Sequence, residues 1–270
     1  MCRMSVLAAT ALTLALAGGA SAKTPEVKPP AAAQQTPAPA KASPEQRAAA
    51  ERLDPLARAA FWGMEAERDP HDPVPATKVA EALRAMGRFD DAAQAAQRAL
   101  ALAPDNIEAL MELARDQIAL GQGFYAIEPA RRVQVLAPRD WRAPSLLGVA
   151  YDQAERPDEA LAAHRQALAL APDNPVALCN LALFYASHGD APQAERLLRT
   201  AAAKPDAPIA VRQNLALVLG LQGRFDEAEK LARQDLPPAL VANNMAYLRA
   251  AAGGEGASAG RSWDAMKAVQ

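Results

Sequence analysis

The sequence predicts an all-α fold, a solenoid of helical hairpins stacked in chain order, on three observations. First, small and bulky apolar residues recur with a period of 34: Ala92, Ala126, Ala160, Ala194 and Ala228 share one place, and Val79, Leu113, Leu147, Leu181 and Leu215 another. Helices pack closely only where side chains shrink, so small residues at fixed spacing beside bulky ones describe paired helices. Second, Gly87, Gly121, Gly189 and Gly223 mark the middle of four periods, and Pro104, Pro138 and Pro172 close three. That punctuation separates helix, turn, helix and exit. Third, the 270 residues are 51% hydrophobic but only 4% aromatic, which suits alanine-rich helices rather than a sheet. Self-similarity at this period marks an array in which each unit buries its apolar face on its neighbours.

The elements follow in chain order. Residues 1–22 set Arg3 ahead of an apolar run from Val6 to Ala17 and end in Ala20-Ser21-Ala22. This is the layout of a secretory signal, with cleavage expected after Ala22. The run is 12 residues, short of the roughly 20 that span a bilayer. Cleavage takes the formal charge from -2 to -3, because Arg3 is the segment's one charged residue. It also removes Cys2 and leaves Cys179 alone, so stability is expected from apolar packing without a disulfide. No cysteine follows the apolar run where a lipid attachment would need one.

Residues 23–44 carry Pro25, Pro29, Pro30, Pro37, Pro39 and Pro44. Proline at that density keeps a segment extended and solvated, as either a disordered spacer or an unselected leader. Residues 45–72 form a divergent half-repeat cap, opened by Ser43-Pro44-Glu45 and broken near Asp54-Pro55, with Phe61, Trp62 and Met64 facing the first full hairpin. Five full units then span 73–242: 73–106, 107–140, 141–174, 175–208 and 209–242.

Unit three carries Glu155 in place of the turn glycine and restarts its helix at Pro157. Pro129, inside the second helix of unit two, is expected to kink or shorten that helix. Gly123 and Pro157 stand where units one and five have Phe89 and Phe225, so looser packing is expected there. Asp235-Leu236-Pro237-Pro238 stops the second helix of unit five early. A capping helix over 243–252, starting near 239, brings Val241, Met245 and Leu248 onto the last hairpin. Residues 253–270 read as a flexible tail with a short helix bearing Trp263 and Met266, either docked back or free.

No catalytic constellation is visible, and no cofactor or metal is expected. His71, His164 and His188 have no second histidine or cysteine at metal spacing, and there is no phosphate-binding glycine loop or nucleophile elbow. His164 reads as a core side chain. The near-neutral charge gives no footprint for nucleic acid. Asp90-Asp91 and Asp158-Glu159 begin second helices, where negative charge complements the helix dipole.

Leu147-Gly148, Tyr151, Ala160, Ala167 and Pro172, repeated at 34, resemble the tetratricopeptide repeat. The resemblance implies a right-handed superhelix whose first helices line a concave groove that holds a peptide. On its register, the groove residues of units three to five are Arg142, Ser145, Val149, Val176, Cys179, Asn180, Leu183, Gln213, Asn214 and Leu217. The groove is expected to run from mixed charge (Glu81, Arg84, Glu108, Arg115) to apolar at its C-terminal half. Asn180 and Asn214 share the sixth place of their units; each amide either holds a ligand backbone or bonds a neighbouring helix.

The stretches from Val211 to Leu217, Gln222 to Glu229, Asp235 to Pro237 and Asn243 to Arg249 are similar to the end of TadD-type proteins of Flp (Tad) pilus assembly. That likeness implies a pilotin-like, non-enzymatic assembly factor, typically a lipoprotein of the outer membrane's inner face, with the outer-membrane secretin, or another component of that secretion system, as partner. This sequence departs from it in lacking the lipidation cysteine, so a soluble periplasmic form is expected here. Any association with the outer membrane would run through partners. The alternatives are a general envelope chaperone or adaptor, an enzyme accessory subunit, and an enzyme with a repeat domain, for which last the repeats leave no room for a catalytic domain.

Overall fold

The computed structural model describes residues 40–252; the expected signal over 1–22, most of the proline-rich segment and the expected tail helix over 253–270 lie outside them. The described residues form thirteen helices and no strand: α1 (Pro44–Ala50), α2 (Pro55–Arg68), α3 (Pro73–Ala85), α4 (Phe89–Leu102), α5 (Ile107–Ala119), α6 (Gly123–Leu136), α7 (Arg142–Gln153), α8 (Pro157–Leu170), α9 (Pro175–Ser187), α10 (Ala191–Ala202), α11 (Ile209–Leu221), α12 (Phe225–Ala232) and α13 (Pro238–Ala252). Each element packs on the next, and α3, α5, α7, α9 and α11 also pack on one another in succession. The second helices do not pair among themselves to that degree. The first helices therefore form the closer-set wall of the stack, and the second helices form the other.

Local chemistry fixes the boundaries. Ser43 and Gln46 make a reciprocal cap on α1, and Asp54, Asn106 and Asn174 accept backbone N–H groups at the starts of α2, α5 and α9. At the hairpin turns the residue at the glycine place takes positive φ, from 72° at Gly121 to 84° at Gly189. Glu155 does the same at φ 58°, the one non-glycine of this kind among the described residues. The next residue's N–H then reaches back five residues, as Arg156 does to the Tyr151 carbonyl at 2.9 Å, closing the first helix.

The core is built from alanine columns. Ala80, Ala92, Ala95, Ala96 and Ala99 are fully buried between the first two helices of the array. Two glycines extend that logic. A methyl at Gly148 would lie 2.4 Å from the His164 ring, and one at Gly220 2.4 Å from Leu248. His164 is thus a core ring seated on Gly148, and Leu248 of α13 seats the end helix on α11. Val241 and Met245 complete that contact.

At the other end, Trp62 is buried and donates to Glu51 at 3.1 Å. Glu65, also buried, accepts from the Ala42 N–H, Arg47 and Arg68. Among the described residues no helix is long and apolar enough to cross a membrane.

Two local expectations are corrected in part. Of the kink or shortening expected at Pro129, the shortening does not occur: α6 runs 14 residues, as long as α4 and α8. The missing N–H removes one hydrogen bond, while Ala126, Ile127, Pro129, Ala130 and Val133 are all buried and keep the helix continuous. Packing at Gly123 is not loose either. A methyl there would sit 2.5 Å from the Ala150 carbonyl oxygen, so the lost aromatic is replaced by a close approach of α6 to α7.

Candidate functional site

The wall formed by α7, α9 and α11 carries all ten residues that the repeat register assigns to the C-terminal groove. The structure divides them. Arg142, Val149, Asn180, Leu183, Gln213 and Leu217 are half-buried, and Val176 is exposed. Ser145, Cys179 and Asn214 are buried, at 3%, 6% and 4% exposure.

Polar bonds between successive first helices explain the buried three. Asn180 Nδ2 donates to Ser145 Oγ at 2.8 Å, and Asn214 Nδ2 donates to Cys179 Sγ at 3.3 Å. Both bonds join the sixth place of one unit to the fifth place of the unit before, 35 residues apart. Gln153 Nε2 makes a third link of the same span, to the Ile118 carbonyl at 3.0 Å. These amides therefore stitch the wall together, and the side chains they hold face neighbouring helices. Burial pushes the Cys179 thiol above its ordinary range despite the Asn214 bond, which keeps it protonated and unreactive.

The surface left to a ligand is the half-buried apolar set. Leu183 and Leu217 pack part of their side chains on the C-terminal core and leave the rest at the surface. Val149 and Val176 add aliphatic surface on α7 and α9. At the N-terminal margin Arg142 donates to both carboxyl oxygens of Asp140, from Nε to Oδ1 at 2.9 Å and from Nη2 to Oδ2 at 2.6 Å, with Glu108 3.7 Å away. The Asp140 hydrogen bonds hold the guanidinium above its usual range and, reciprocally, the Asp140 carboxyl below its own.

Further along, Arg84 and Arg115 both bond the buried Glu112. Asp152 of α7 lies 3.6 Å from His188, whose ring stacks on Phe184 of α9 at 4.2 Å. The wall thus passes from paired charges to aliphatic side chains. Such a surface can hold a polypeptide by apolar contact at one end and charge-assisted hydrogen bonds at the other. Among the described residues no group of three or more His, Cys, Asp or Glu could hold a metal ion.

Sequence reasoning missed Glu112, Asp116 and Gln153. Asp116 carried a readable signal: its register partners are Ala82, Ala150, Phe184 and Val218, so it is the one carboxylate in an apolar column. Arg131 and Arg132 are exposed, Arg131 donating to the Tyr151 hydroxyl at 2.7 Å and Arg132 pairing with Asp105.

Comparisons with known proteins fit this geometry. Tetratricopeptide repeat family models match residues 73–116, 153–213 and 209–236. A thermophilic tetratricopeptide protein of Thermus thermophilus superposes with a TM-score of 0.59 at 26% identity, over 66% of this chain and 98% of that one. MamA from Desulfovibrio magneticus gives 0.51 at 24% identity, over 58% and 88%. The APC/C Cut9–Hcn1 structure gives 0.62 at 17% identity, over 76% of this chain but 40% of that one. The latter two bear on fold alone. No curated protein matches the chain. The described residues form an all-α repeat solenoid, and three stretches of it match tetratricopeptide repeat models.

Proposed function

We propose that the chain is a non-enzymatic scaffold of the periplasm that holds a segment of the outer-membrane secretin during assembly of the Flp (Tad) pilus. The observation that carries this reading is the aliphatic set of Val149, Leu183 and Leu217, in register on three successive first helices, with Val176 two turns before Leu183, all partly open to solvent. An aliphatic stripe of that kind suits a partner segment with apolar anchors at regular spacing. The secretory layout of residues 1–22 supports an envelope location, and the likeness of the C-terminal third to TadD-type proteins supports the pilus system.

The test is a pull-down of purified secretin by the chain without its first 22 residues, compared with Leu183→Asp and Leu217→Asp. A charge on the stripe requires desolvation that the partner cannot compensate, so capture should drop at least tenfold while helical content by circular dichroism is kept. Capture unaffected by both substitutions, or secretin assembly and piliation unchanged in a deletion strain, would count against the proposal.

A further inference from the structure

The buried acidic groups of this molecule divide into satisfied and unsatisfied. Glu65, beneath α1, has no exposed surface and accepts hydrogen bonds from the Ala42 N–H, Arg47 and Arg68. Glu112 on α5 accepts from Arg84 across the seam and from Arg115 on its own helix. Asp116, one turn beyond Glu112, is the exception. It has no exposed surface, and neither carboxyl oxygen has a hydrogen-bond partner in the protein. A carboxylate buried in that state keeps neither its hydration nor a compensating bond, so the neutral acid is favoured.

The surroundings define what the group feels. From its own helix Glu112 repels the ionised form and Arg115 attracts it. From α3 comes Arg84, already engaged by Glu112, with Glu81 beyond it paired to Lys78. The helix α4 buries Ala92, Ala93, Ala95, Ala96 and Ala99, while its acids Asp90 and Asp91 lie in the first turn and Arg98 is exposed. On α6 the charged Glu128, Arg131 and Arg132 are exposed. On α7, Arg142 is held by Asp140, and Asp152 lies beside His188.

We propose that Asp116 is a proton-binding residue built into the packing of the second full unit, holding α5 against α3 and α4 most tightly when protonated and loosening that seam when it ionises. Ionisation has two outlets. Asp116 can draw Arg84 or Arg115 away from Glu112, or the seam can open to water. Either one disturbs the charged, N-terminal part of the wall, so the seam responds to pH around neutrality. The proposal is independent of which polypeptide the wall holds.

Burial, then the Glu112 charge, raise this carboxyl from 3.8 to about 7, against the partial relief given by Arg84 and Arg115. The folded state therefore binds the proton more strongly than the unfolded chain does. The stability that Asp116 supports is fully present below about pH 4, declines as pH rises toward 7, and stays lost above it. The full decline corresponds to up to about a thousandfold in the folding equilibrium.

His164, neutral in its buried seat, acts in the opposite direction over part of the same window. The measurement is therefore a difference between variants. The full chain, Asp116→Ala (the residue units one and three carry at this place) and Asp116→Asn are unfolded in urea at pH 5, 6, 7 and 8. The advantage of either variant over the unmodified chain should grow by at least tenfold in the folding constant from pH 5 to 8. In parallel, 13C-carboxyl NMR of the unmodified chain should show one aspartate titrating near pH 7 that is missing from whichever variant folds. A variant advantage constant with pH, or all aspartates titrating below pH 5, would overturn the proposal.

Discussion

Replacing Gly148 by alanine tests the packing logic of the hairpins at its tightest point. The new methyl would lie 2.4 Å from the Cε1 and Nδ1 atoms of His164 and 2.6 Å from Cγ. Ordinary carbon contacts sit at about 3.5–4.0 Å, so the ring must retreat by about 1 Å. It has little room to do so: His164 is 2% exposed and its ring faces Phe184 at 5.8 Å. Overpacking of this kind costs about 1–3 kcal/mol, and the better helix propensity of alanine returns about 1 kcal/mol. A rigid ring as the obstacle places the cost in the upper part of that range, for a net loss of about 1–2 kcal/mol. Thermal unfolding followed by circular dichroism should show Tm falling by about 2–8 °C. The companion is His164→Ala, which opens a cavity. Adding Gly148→Ala to it should now stabilise, by about 1 kcal/mol, because the obstacle is gone. A Tm for Gly148→Ala at or above that of the parent, or the same destabilisation with and without the His164 ring, would refute the reasoning.

Three further outcomes follow from named contacts. Glu155→Gly should raise stability by about 0.5–1 kcal/mol in urea titrations, since φ at this residue is 58° and the four other turns use glycine. Asn180→Ala should lower it by about 1–2 kcal/mol, because the buried Ser145 hydroxyl loses its partner at 2.8 Å; a double-mutant cycle with Ser145→Ala should recover part of the loss. Burial lowers the His164 pKa from 6.5 to about 4, so its contribution is fully present above about pH 6.5 and is lost as pH falls toward 4. Relative to His164→Phe, the parent chain should lose about 2–3 kcal/mol between pH 7 and pH 4.5, read from urea midpoints.

Much of the fold is legible in the sequence because a repeat states its packing rules several times. The turn places of Gly87, Gly121, Gly189 and Gly223, the restart at Pro157, the short α12 before Pro237-Pro238 and the seat of His164 all follow from local chemistry plus register. What escapes is decided between helices. Pro129 reads as a breaker, yet the buried face of α6 overrides one missing hydrogen bond. Gly123 reads as a gap, yet it admits the α7 backbone.

The wall shows the same limit. Ser145, Cys179 and Asn214 hold groove places in the register, but bonds spanning 35 residues turn them toward neighbouring helices. The register leaves Asn180 and Asn214 open between a ligand and a neighbouring helix, and the structure gives the helix. A period of 34 does not name the acceptors, because the bonds link different places of adjacent units. Leu183 and Leu217, with no polar partner to seek, keep part of their surface open.

Whether the wall of α7, α9 and α11 grips another polypeptide is tested most directly by site-specific photo-crosslinking in cells. A photoreactive residue is placed in turn at Leu183, at Leu217 and, on the opposite wall, at the exposed Arg165 of α8. Adducts with the secretin from Leu183 and Leu217 but not from Arg165 are the predicted result. Adducts from Arg165 alone, or none from either leucine while the protein is folded and its partner present, would contradict it.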